Sequence, residues 1–227
     1  MIGAIGQPLL FLLALGYGFG PIYERAGGGD YIQFIVPGVV AMSILSVAVF
    51  GGLEIIWDRQ FGFLKETLVA PVSRFSIMIG RTLGGATIAF LQGVIILIIS
   101  LLLGFELESL GAIPLALLVM ALIAILFSAI GSAIASRLED MQAFPLIMNF
   151  FVMPLFFLSG ALYPLVGLPR ALVLVARFDP LTYGVDGLRG ALTGSLHFSY
   201  ATDIGILAAL CVLTIALGAY LFSKIEV

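Results

Sequence analysis

The chain has 227 residues, 62% of them hydrophobic and 10% charged, with a formal net charge of −3. A soluble domain is about 25% charged, and a charge at the bilayer centre costs about 2.5–3.5 kcal/mol, so this composition excludes a water-soluble fold and describes a chain solvated by lipid. Its length is filled by one membrane domain, and no nucleic-acid partner is expected of it.

A hydropathy window of about 19 residues resolves six predicted spans, at residues 2–20, 32–53, 75–103, 112–136, 143–163 and 204–222. Each reaches the roughly 17–25 residues that an α-helix needs to cross about 30 Å of hydrocarbon, and the third is long enough to project beyond it. Residues 94–103, VIILIISLLL, are apolar on every face, whereas a transmembrane β-strand alternates. The expected fold is therefore all-α and polytopic. The first span opens without the basic leader of a signal peptide, so cleavage is not expected.

Between the second and third spans lies the segment at 54–74, EIIWDRQFGFLKETLVAPVSR. It mixes Trp57, Phe61 and Phe63 with Asp58, Arg59, Lys65, Glu66 and Arg74, and Pro71 stops any helix before the third span. On composition two readings stand: an interfacial loop with aromatics at headgroup depth, or a short amphipathic helix offered to a partner. Polar groups inside the spans are few: Gln92 and Ser100 in the third, Ser128 and Ser132 in the fourth, and Asn149 in the fifth. The fifth carries Asn149 between Pro145 and Pro154, where the prolines predict kinks. An intramembrane amide is either a bond to a neighbouring helix or a contact in a translocation pathway. The glycine pairs Gly16 with Gly20 and Gly80 with Gly84 have the spacing for close helix contact.

The stretch from 164 to 203 is too short of apolar residues to cross the bilayer. Pro169 is placed to open a helix, Arg170 and Arg177 share a face, and Asp179-Pro180 marks a break. A re-entrant or surface-lying helix pair is predicted, with Asp186 and Arg189 spaced to neutralise each other. The sixth span holds the lone Cys211, which leaves no internal disulfide.

Enzyme signatures are missing. One histidine, His197, cannot build an HExxH metal helix or a His/Cys zinc site. Ser159 with His197 as its base lacks a third, orienting group. There is no GxxxxGK[ST] loop for nucleotide phosphates, so neither a catalytic residue nor a resident metal is assigned, and any ATP must be held by another chain.

Taken in order, QPLLFLLALGYGFG, YIQFIVPGVVAMSILSVAVFGG, WDRQFGFLKETLVAPVSRFSIMIGRTLGG, PLFFLSGALYPLVGLP and FDPLTYGVDGLRGAL resemble the membrane subunit of type-2 ATP-binding cassette exporters of drugs, lipids and polysaccharides. The resemblance spans nearly the whole chain. It implies a permease that pairs with a second permease subunit, as homo- or heterodimer, and docks two cytoplasmic ATPase subunits that carry ATP and Mg. It also makes the segment from Trp57 to Arg74 the coupling helix. Re-entrant helices on the outer side would match the segment from 164 to 189. These permeases usually carry a cytoplasmic amphipathic helix before the first span, which this sequence does not display.

With both termini cytoplasmic in a cell membrane, Arg59, Lys65, Arg74, Arg81, Arg137 and Lys224 lie inside, against Arg25, Arg170, Arg177 and Arg189 outside, the sense the positive-inside rule requires. The expected function is ATP-driven export of a hydrophobic or amphipathic compound. The rival is an ATP-independent channel or secondary transporter, for which an ionisable residue at midspan is expected and not found.

Overall fold

The computed structural model describes residues 2–27, 29–63, 71–138 and 140–223. Among them every regular element is helical. The chain opens with one continuous run: α1 (Ile2–Phe11), a π-helical stretch (Leu12–Tyr17) and α2 (Gly18–Arg25). Next comes α3 (Tyr31–Phe50), whose first turn is capped by Asp30 accepting from the Ile32 N–H at 2.8 Å. Gly51 and Gly52 keep right-handed backbone and pass the chain into α4 (Leu53–Gln60). The two form a 30-residue rod of about 45 Å, longer than the predicted second span.

Ser73 caps α5 (Arg74–Leu102) by accepting from the Ser76 N–H. A 3-10 turn (Leu110–Ala112) leads into α6 (Ile113–Ala135). Then follow α7 (Ala143–Leu158), α8 (Arg170–Phe178), α9 (Pro180–Thr193) and α10 (Tyr200–Ser223).

Four long helices, α3, α5, α6 and α10, form the central bundle, and α9 closes one end of it against α3, α6 and α10. On the flank of α3 stand the first helical run and α7. Residues 35–45 of α3 are buried on all sides, as befits an axis that is apolar all round. By contrast α7 exposes Leu146, Phe150 and Phe157, and α10 exposes Val212, Leu213 and Leu217. Such apolar surface is the face a bilayer wets.

Among the described residues five helices are long and apolar enough to cross a membrane. The exception is α7, whose 16 residues reach only about 24 Å. It stops at Leu158 because Ser159 and Gly160 turn the chain, Gly160 at φ +75; the predicted 143–163 is shortened by that left-handed residue. Pro145 falls in the first turn of α7, where no intrahelical donor is lost, and Pro154 lies inside the helix.

The closest helix contact uses glycines other than the predicted pairs. A Cβ on Gly52 would strike the Gly131 carbonyl, and one on Gly131 the Val49 carbonyl, so α6 crosses the α3–α4 junction backbone to backbone. Around Gly20, Gly80 and Gly84 the space within the chain is open.

Candidate functional site

The segment predicted to couple begins as helix α4. It buries Ile55 and Ile56 against the bundle and turns Trp57 and Phe61 outward. Asp58 is paired with Arg81 of α5. Arg59 reaches past the end of α6, its Nη2 donating to the Ser136 carbonyl at 2.8 Å and its Nη1 to that of Leu138 at 3.2 Å. These are carbonyls that the end of a helix leaves without partners, and the negative end of the dipole favours a cation there. Arg74, the first residue of α5, makes a longer contact of the same kind with the carbonyl of Ser223, the last residue of α10. Pro71 is exposed just before α5, while Lys65 and Glu66 lie outside the described residues. Three basic or acidic residues singled out in the sequence thus bind the bundle itself, and the aromatics between them remain outward.

Asn149 and Gln92 do not meet. Gln92 is buried on α5 with its Nε2 unpartnered. Asn149 is exposed on α7 and borders a cleft of about 270 Å³ between α1, α3 and α7. Gln7 of α1 and Ser43 and Ser46 of α3 line the same cleft, with Met42 and Phe50 as apolar walls. The Ser43 hydroxyl is committed to the Val40 carbonyl at 2.8 Å, but the side-chain amides of Gln7 and Asn149 have no hydrogen-bond partner among the described residues. The cleft is thus an apolar groove with uncharged donors and acceptors free to take a ligand. Gln7, Ser43 and Ser46 were not predicted as site residues; their signal was polarity inside an apolar run, without a clue to which face they occupied. Pro154 directly follows Met153, which lines the cleft, and Pro145 sits in the first turn of α7.

At the other end of the bundle α8 and α9 occupy the segment predicted as a helix pair. They meet at Asp179, which caps α9 by accepting from the Leu181 N–H at 2.8 Å. Its second oxygen is buried without a partner, and burial pushes the carboxyl up to about 7. The Tyr183 hydroxyl donates to the Arg177 carbonyl at 2.7 Å, fastening α9 to α8. Arg170 and Arg177 are exposed, and so are Leu174 and Phe178.

Asp186 and Arg189 form no ion pair. The Asp186 carboxylate accepts from the backbone N–H groups of His197 at 2.9 Å and Phe198 at 2.8 Å. Arg189 donates through Nη2 to the Gly160 carbonyl at 3.0 Å and more weakly to that of Phe34, and its guanidinium lies 4.2 Å from the centre of the Phe34 ring. Burial pulls its pKa down to about 10, partly offset by the field of Asp186, so it stays charged at neutral pH. Ser159 and His197 border one cavity, yet the serine hydroxyl is bonded to the Phe156 carbonyl at 2.9 Å rather than to the histidine.

Asp203 was not singled out beforehand. It sits in the first turn of α10, fully buried, with neither oxygen hydrogen-bonded. The predicted span began one residue later, which left this carboxyl outside it.

Among known proteins, the model of the family described as ABC-2 type transporter matches residues 1–193. Nodulation protein J of Rhizobium leguminosarum bv. trifolii is 28% identical over 228 residues, covering 99% of this chain and 86% of that protein. The putative transport permease ycf38 of Pyropia yezoensis is 32% identical over 242 residues, covering 99% and 81%. Its counterpart in Cyanophora paradoxa is 30% identical over 199 residues, covering 83% and 66%.

Proposed function

The chain belongs to the ABC-2 type transporter family, and from that premise we propose that it is the permease subunit of an ATP-driven exporter for a hydrophobic or amphipathic compound. The observation that carries the reading is the cleft between α1, α3 and α7: an apolar groove whose unpartnered amides, Gln7 and Asn149, suit a molecule with an apolar body and an uncharged polar group. ATP and Mg belong to cytoplasmic ATPase subunits docked at the α4 end, where Trp57 and Phe61 face outward. A second permease subunit completes the assembly across the cleft, and lipid covers the remaining apolar faces.

In this reading the chain crosses the cell membrane six times with both termini inside. The 16-residue α7 then crosses with the help of local thinning, and α8 and α9 form the re-entrant pair on the outer side. ATP-driven closure of the two ATPase subunits biases the permease between two conformations, a population shift without a chemical step in this chain. Transport in the outward sense follows from the resemblance to exporters.

Co-expression with candidate ATPase chains, followed by purification and reconstitution in vesicles, tests the proposal. Expected are a stable complex with an ATPase and ATP-dependent loss of an amphipathic dye from the cytoplasmic side. Transport that persists in the permease alone, without ATP, would transfer the function to the rival channel or secondary transporter.

A further inference from the structure

A cavity of about 250 Å³ lies at the α9 end of the bundle, remote from the α1–α3–α7 cleft, bounded by Phe34, by Thr182, Asp186 and Arg189 of α9, and by the turn at 195–198. Its polar groups are unevenly satisfied. Asp186 has both oxygens filled by backbone N–H groups, which fixes the turn. Arg189 spends only Nη2, on the two carbonyls named above. Its Nε is buried without a partner, as is the hydroxyl of Thr182, two turns earlier on the same face of α9. Nη1 donates to nothing among the described residues.

A guanidinium removed from water and left with unused donors is costly unless an anion or further acceptors complete it. Neutral carbonyls and an aromatic face supply part of what it needs, and the nearest carboxylate is already engaged. We propose that this cavity binds a singly charged phosphodiester, with Arg189 as the cationic ligand and Thr182 as a hydroxyl donor. One negative charge fits better than two, because Asp186 stands in the same wall and repels the second. The size suits a phosphate with a small substituent and excludes acyl chains, which would leave past the exposed Val166 at the rim. Two sources present this chemistry: the headgroup of an anionic phospholipid in the adjoining leaflet, and a soluble phosphodiester.

The test uses the full chain in maltoside micelles, free of phosphatidylcholine. Labelled phosphatidylglycerol is measured by retention through purification, and glycerophosphoglycerol by equilibrium dialysis. Saturable binding is expected in at least one arm, weakened about tenfold by Arg189→Lys, which keeps the charge and loses the fork, and by Thr182→Val. Binding in the retention arm alone assigns the site to a lipid headgroup; saturable binding of glycerophosphoglycerol in the dialysis arm, without retention of the lipid, assigns it to a soluble ester. Should Arg189→Lys fail to fold, Thr182→Val decides by itself, since its hydroxyl holds no other element in place. Loss in Arg189→Lys alone, at unchanged melting temperature, keeps the anion on Arg189 and removes Thr182 from its ligands. No saturable binding in either arm, or equal binding in wild type and both variants, overturns the site.

Discussion

At Asp179 two demands on one carboxyl conflict. The cap on α9 favours the charged form, and burial of the second oxygen favours the neutral one. Burial wins, with the folded value near 7 against the ordinary 3.8. The native state therefore binds more protons than the unfolded chain between those values. Stability contributed here is fully present below about pH 4 and is lost as pH rises through about 7. Asp179→Asn keeps a capping side chain and removes the titration, so its melting temperature should vary less than wild type between pH 5 and 8; an identical slope in both proteins would refute the assignment. For Asn149, exposed and unpartnered in its cleft, Asn149→Leu should lower export about two- to tenfold, the worth of one hydrogen bond, while leaving the melting temperature in detergent unchanged. A parallel loss of stability would return Asn149 to a structural role. Asp186 and Arg189 were conspicuous in the sequence as polar groups amid apolar ones. Their partners were not, because Asp186 turns to a backbone eleven residues away and Arg189 to carbonyls 29 and 155 residues distant.

Among elements, the junction of α3 and α4 on α6 is the tightest. Gly131→Ala places a methyl group on the Val49 carbonyl, and backbone cannot swing aside as a side chain does. A loss of about 1–3 kcal/mol is expected, read as a lower melting temperature. Gly80→Ala, facing open space on α5, should be neutral or stabilising by up to about 1 kcal/mol. The reverse order of the two effects would contradict the packing. Glycine spacing alone suggested Gly80 and Gly84, since a small residue reports that close approach is allowed and not which face is turned inward. Helix existence was more legible: long apolar runs announced the five described helices long and apolar enough to cross a membrane, and Pro169 with Asp179-Pro180 announced α8 and α9. The length of α7 was not legible, because residues 159–163 remain apolar enough to extend a hydropathy window although Gly160 has already turned the chain.

For the whole molecule, the six-crossing arrangement predicts that cysteines replacing Lys65 and Glu106 react with impermeant reagents from opposite sides of the membrane, Lys65 from the cytoplasm. Labelling of both from one side would refute it. Charge reversal of Lys65, alone or with Arg59, should weaken ATPase association while the chain still inserts; because Arg59 also closes the end of α6, its single variant should lose stability as well, and Lys65 separates the two effects. Composition and element order carried the reading at this scale, since lipid solvation constrains every helix at once, whereas the cleft depends on which of several apolar faces meet. The Asp58–Arg81 pair has one further mechanical consequence. It ties the two stems of the 61–73 segment together at their base, and Arg59 lashes the α4 stem to the end of α6. A pull on that segment cannot draw out α4 by itself; the load is shared by α4, α5 and α6, which travel as one lever. The chain after α7 is fastened to α3 just past the last turn of α7, through Tyr31 on the Leu162 carbonyl and Arg189 on those of Gly160 and Phe34, so under the proposed coupling a stroke delivered at the α4 end would be read as a change in the width of the cleft.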